Sequence, residues 1–140
     1  LALLTTSDYP AVRAALDTSL DDGDLPDGII GLSIYQGRAE AFVLRRDPLA
    51  QTRTGADAQH VKNAAIFLTA GYLAPALPAV ISDDYGDHRM QRKPMDWIAR
   101  GQLLTQRGEA ELDVLLLPPA LLVTSARPRM FTVASGSRGR

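Results

Sequence analysis

Nine prolines divide the chain, and their placement constrains the fold more than any other feature. A proline is tolerated in the first turn of a helix, but further in it removes a hydrogen bond and clashes with the preceding turn. Pro10 and Pro26 fall where helical patterns open, Pro48 follows one that has closed, and Pro94 opens another. Pro75 and Pro78 are expected to end a long apolar stretch, and the pair Pro118-Pro119 stops the last helical pattern. Between these points apolar residues recur at spacings of 3 and 4, the period of an amphipathic helix. The expected fold is all-α: a bundle of about four helices over residues 1–117, then an extended C-terminal arm over residues 118–140.

The first helix is capped by Ser7 or Thr6, has Asp8 in its first turn, and buries Tyr9, Val12, Leu16 and Leu20. Asp21-Asp22-Gly23-Asp24 is a turn. A second helix is expected from the N-cap Asp24 to Arg45 and Arg46, with Ile30, Ile34, Gly37, Ala41 and Leu44 as its stripe. Ile29, Leu32, Tyr35, Phe42 and Val43 widen that stripe, which places this helix at the centre of the bundle or beneath another subunit. The third helix runs from about Gly55 to Ala74 on a stripe of Val61, Ala65, Leu68 and Tyr72, with small residues for close approach. The fourth presents Trp97, Gly101, Leu104, Gly108, Leu112 and Leu115 on one face and ends at Leu117. Two interior glycines cost on the order of 1 kcal/mol each relative to alanine, so they mark tight packing.

A chain of 140 residues suits one domain with a modest core. No unbroken apolar run approaches the roughly 20 residues that span a bilayer; Ala64 to Val80 comes nearest, and its prolines make it read as a buried helix. No basic segment opens the chain as in a signal peptide. The chain starts at Leu rather than Met, which leaves the natural N-terminus open. With no cysteine there are no disulfides and no thiolate ligands, which fits a cytosolic setting.

Charge is divided unevenly. Arg127, Arg129, Arg138 and Arg140 give the arm +4 with no acidic residue, so residues 1–117 carry -5 of the total of -1. Two readings of the arm stay open. Its arginines suit nucleic-acid phosphates; its interleaved Leu122, Val123, Met130, Phe131 and Val133 suit pockets on a protein, with arginine supplying bidentate ion pairs. Its β-branched and aromatic residues would also allow it to add a strand to a partner's sheet edge. A tail without function is the bland alternative.

Chemistry-bearing constellations are sparse. Asp83-Asp84-Tyr85-Gly86-Asp87-His88 has the residue types of a divalent-cation site, but it lacks the acidic residue that closes an EF-hand loop and reads more simply as a solvated turn. His60 has no catalytic partner near it in sequence and reads as an exposed or interface histidine. Trp97 reads as a core anchor. Asp27, Glu40, Glu109, Glu111 and Asp113 lack the Glu-x-x-His pattern of di-iron bundles and read as solvated faces. No nucleophile elbow or phosphate loop is present, so no catalytic residue, cofactor or metal site is expected.

The succession SDYPAVRAAL, LPDGIIGLSIYQGRAEAFVLRRDP, HVKNAAIFLTAGYLAPALP and PMDWIARGQLLTQRGEAEL over residues 5–115 resembles the head–tail connector (adaptor) proteins of tailed bacteriophages. The resemblance implies a structural virion protein located in the neck and assembled in the host cytoplasm. Such adaptors form a homo-oligomeric ring, commonly of twelve subunits, beneath the portal. They extend the DNA channel and carry the stopper or tail, and DNA passes through without sequence-specific contact. The arm residues Leu122, Val123, Arg127, Arg129, Met130, Phe131, Val133, Arg138 and Arg140 would then dock on the portal, and acidic residues of the body would line a channel along which DNA slides. A small helical nucleic-acid-binding or regulatory module is the alternative, and a metal-dependent enzyme built on residues 83–88 is a third, with no membrane role in any of them.

Overall fold

A computed structural model describes residues 2–80 and 96–116. These residues are mostly helical, and no strand occurs among them. The expected arm and the acidic stretch at 83–88 lie outside the described residues. The helices are α1 (Tyr9–Leu16), α2 (Asp27–Ile30), α3 (Arg38–Arg46), α4 (Gly55–Leu73), α5 (Leu77–Val80) and α6 (Trp97–Leu116).

A single 3-10 turn, Thr6–Asp8, leads into α1. Its cap is Thr5 rather than Ser7 or Thr6: the Thr5 backbone N–H donates to the Asp8 carboxylate at 2.8 Å. The apolar stripe is as expected, with Tyr9, Val12, Leu16 and Leu20 all buried.

The second expected helix is broken. After α2 the chain is extended at Leu32 (ψ 148°), turns once through a π-helical segment at Ser33–Gly37, and only then becomes α3. The break changes which face turns inward. Ile34, placed in the stripe by a continuous helix, is 60% exposed, while Gln36, Ala39 and Val43 are buried. Close approach explains the break. The Tyr9 hydroxyl occupies the space beside Gly31, where a Cβ would sit only 2.8 Å from it. That hydroxyl also donates to Gln36 Oε1 at 2.6 Å, so the π turn delivers a buried amide to α1.

The central helix is α4, not the second helical region. It packs against α1, α3 with its π turn, and α6, and it buries residues almost all the way round. The α-helix ends at Leu73, just ahead of Pro75 as expected, but the chain stays helical beyond it. Pro75 opens a 3-10 turn, Ala74–Ala76, and the chain continues through α5 to Val80. A proline removes one backbone donor and need not stop a chain that tightens to i→i+3 bonding. The continuous run Gly55–Val80 has a mean hydropathy of 1.4 over its most apolar window, long and apolar enough for a bilayer by composition alone. Its packing on three sides accounts for that composition in another way.

Antiparallel to α4 runs α6, since Gly101 faces Gly71, Gly108 faces Leu68, and Glu111 bonds His60. The expected face of α6 is the observed one: Trp97, Gly101, Leu104, Gly108 and Leu112 are buried. At the α3–α4 connection Asp47 is 2% exposed and accepts from Arg53 Nε and Nη2, each at 2.9 Å. Those bonds hold its carboxyl below the usual carboxylate range against the opposing effect of burial.

Candidate functional site

A sizeable surface cleft, about 510 Å³ in volume and open to solvent, lies beside the α4–α6 seam. Its floor is backbone at Gly71 and Gly101, and its walls are Arg38 from α3, Tyr72 and Pro75 from the end of α4, and Ile98, Gln102, Thr105 and Gln106 from α6. The cleft exists because glycines form its floor. A Cβ on Gly101 would lie 2.8 Å from the Gly71 carbonyl oxygen, and one on Gly71 would lie 2.9 Å from the Thr105 nitrogen. The helices therefore meet backbone to backbone, and the side chains on either side stand up as walls.

Arg38 lies over the Tyr72 ring at 4.0 Å, a cation–π pair on the cleft rim. Ile98 on the opposite rim is 63% exposed. Cleft chemistry is thus one cation, two primary amides, two hydroxyls and exposed apolar surface. No base–nucleophile pair lies among these lining residues.

Large apolar side chains are exposed on both flanks of α6. Ile98 and Leu116 are five whole turns apart and share the cleft flank, while Leu103 and Val114 lie about 150° further round.

The reading of the carboxylates as solvated faces holds for the exposed Asp27 and Asp113, yet these and two others also have partners. Asp27 pairs with the buried Arg13. Glu40 accepts from the backbone N–H of Leu3 at 2.7 Å and of Leu4 at 2.9 Å. Glu111 bonds His60 Nδ1 at 3.0 Å and accepts from Asn63 at 3.2 Å, and Asp113 pairs with Arg46 at 2.7 Å. Four of the five therefore tie elements together. His60, expected to be exposed or at an interface, is partly buried between α4 and α6, with a partner 51 residues away that no local pattern marks. Trp97 is buried, as a core anchor should be.

Among the described residues no group of three or more histidine, aspartate or glutamate side chains is arranged to hold a metal ion. The nine arm residues lie outside the described residues. The cleft itself escaped the sequence reading, although its signal was present: Gly71 on one small-residue helix and Gly101 on another. No family model, no curated protein and no solved structure matches the chain.

Proposed function

We propose that the protein is a structural assembly subunit, a head–tail connector (adaptor) of a tailed bacteriophage. In this reading copies form a ring beneath the portal, extend the DNA channel and join the capsid to the tail. The C-terminal residues 118–140 dock on the portal, with Arg127 and Arg129 beside the apolar anchors Met130 and Phe131. The function is mechanical: to hold register between two larger rings while DNA passes.

One observation carries most of the weight. The helical body leaves Ile98 and Leu116 exposed on one flank of α6 and Leu103 and Val114 on another, which are lateral surfaces suited to like neighbours. The charge division supports the same reading, since a body of -5 repels DNA while an arm of +4 reaches a partner. The test is cryo-electron microscopy and mass photometry of the chain mixed with portal rings. A ring seated on the portal is expected, and it should be lost on deletion of residues 118–140 while helical circular dichroism is retained. A chain that stays monomeric and indifferent to portal would overturn the proposal. So would DNA affinity that falls steeply with salt in the absence of any assembly, since that marks a phosphate binder.

A further inference from the structure

We infer that in such a ring the acidic turn between α1 and α2 of one copy seats on the Arg38 rim of the cleft of the next. The inference rests on the ring reading above and adds to it which two surfaces meet.

Position comes first. Arg100 Nη2 donates to the Ala15 carbonyl at 2.7 Å, which fixes the end of α1, and so the start of the turn, against one flank of α6. Ile98 and Gln102, two residues either side of Arg100, line the cleft. Two residues is about 200° of helix, so turn and cleft lie on opposite flanks of the same stretch of α6. A surface that meets a different surface on the next copy makes a head-to-tail contact, which propagates round a ring or along a filament. Because both surfaces sit at one level along the bundle, the step from copy to copy has little axial rise. Low rise favours a ring over a steep filament, with closure set by the rotation between copies.

Chemistry comes second. Asp17, Asp21, Asp22 and Asp24 place four carboxylates within eight residues, with Asp21 and Asp22 exposed. Across the contact Arg38 and Arg45, seven residues apart and so on one face of α3, are exposed. Neither forms an ion pair with a described carboxylate, whereas Arg46 beside them is taken by Asp113. Arg38, exposed over the Tyr72 ring, has N–H groups to offer a carboxylate. Glu109 is the remaining acid on that flank of α6, two turns beyond Gln102.

The turn is also held in shape before it docks. The Asp24 N–H donates to Asp21 Oδ1 at 2.9 Å and the Asp21 N–H to Asp24 Oδ2 at 3.3 Å. Buried Leu20 and Leu25 anchor the turn, and Arg13 Nε donates to the Leu25 carbonyl at 2.8 Å. A preformed loop loses little conformational freedom on association.

Charge reversal in the full-length chain tests the pairing. Asp22 bears no bond that shapes the turn, so Asp22→Lys and Arg38→Glu each leave the fold intact, to be checked by circular dichroism; Asp22→Asn and Arg38→Ala are the milder versions. Assembly is read by mass photometry and sedimentation at low salt, for the chain alone and with portal rings. Each reversal alone is expected to weaken assembly by at least about tenfold, as like charges face each other at every contact. An equal mixture of the two variants is expected to recover it. In alternation every contact is either the introduced lysine against the introduced glutamate or the native Asp22 against the native Arg38. Only a contact that pairs these two sites therefore restores assembly on mixing, and restored species larger than a dimer mark that contact as head-to-tail, whereas a closed two-fold dimer would overturn it. Wild-type-like rings from both single variants would overturn this pairing and leave the ring reading standing. Single variants that fail and stay failed on mixing would also overturn it. Wild-type protein that never assembles in either setting removes the ring reading with it. Loss of binding to a foreign acidic peptide on Arg38→Glu, with self-association unchanged, would reassign the rim to another protein.

Discussion

Along α4 and α6 two backbones touch through Gly71, Gly101 and Gly108, whereas the N-terminal segment is held on α3 by a chain of hydrogen bonds running from Tyr9 through Gln36 to Glu40. The first seam has little room to adjust. Atoms facing Gly71 and Gly101 include backbone, and the three glycines cost on the order of 1 kcal/mol each in helix propensity, which the close approach must more than offset. The second is directional and replaceable. Gln36 Nε2 donates both to the Leu4 carbonyl at 3.1 Å and to Glu40 at 3.0 Å, and Glu40 in turn accepts two backbone N–H groups. A packed seam tolerates no added volume, while a polar clasp tolerates no missing partner.

The largest effect should come from volume in the seam. Gly101→Val places branched carbon where one Cβ already meets the Gly71 carbonyl at 2.8 Å and Pro75 Cδ at 3.2 Å. We expect a loss of about 3 kcal/mol, the upper end of overpacking costs, measured by denaturant unfolding. Improved helix propensity acts the other way by under about 1 kcal/mol, so an unchanged or raised midpoint would show that the seam is looser than its geometry.

Next in size is the clasp. Glu40→Ala leaves the N–H groups of Leu3 and Leu4 without their acceptor, and Leu4 is almost wholly buried. Stranding buried donors costs about 1–3 kcal/mol, less whatever water recovers. The loss should be local first: hydrogen exchange at residues 3 and 4 is expected to accelerate well before exchange in α4 and α6. Uniform acceleration would mean that the two regions unfold as one unit and that the contrast between them is only descriptive.

Which parts of this architecture were readable in the chain follows from the same contrast. Packing by shape leaves a local trace. In α6 the sequence Trp97, Gly101, Leu104, Gly108, Leu112 is a stripe with small residues at fixed spacing, and that face is the buried one. In α1 the stripe of Tyr9, Val12 and Leu16 is equally plain. Polar clasps join residues distant in sequence: Tyr9 with Gln36, 27 apart, and His60 with Glu111, 51 apart. Nothing within one helix announces them. Residues 29–44 are apolar on several faces, so periodicity could not locate the break at Leu32 or the inward turn of Gln36, which Tyr9 and Leu4 dictate. The cleft fell between the two cases, since its glycines were recognised as packing marks but its Arg38 wall depends on where α3 begins.

The smallest effect at neutral pH isolates a single hydrogen bond of the clasp. Tyr9→Phe removes the hydroxyl that donates to Gln36 Oε1 and crowds Gly31. A net cost of about 1 kcal/mol is expected, as Gln36 loses one partner and keeps two. The alkaline limb gives the sharper readout. Burial, with the nearby carboxylates of Asp27 and Glu40, pushes the Tyr9 phenol above its ordinary value near 10. The folded chain then holds a proton that the unfolded chain has already released, so this contribution is complete below about pH 10 and is lost as pH rises towards the folded pKa. Wild type should therefore lose stability more steeply above about pH 10 than Tyr9→Phe, and the two curves should converge there. Parallel curves would mean that the phenol is hydrated in the folded state, and that the clasp is open to water where the seam is dry.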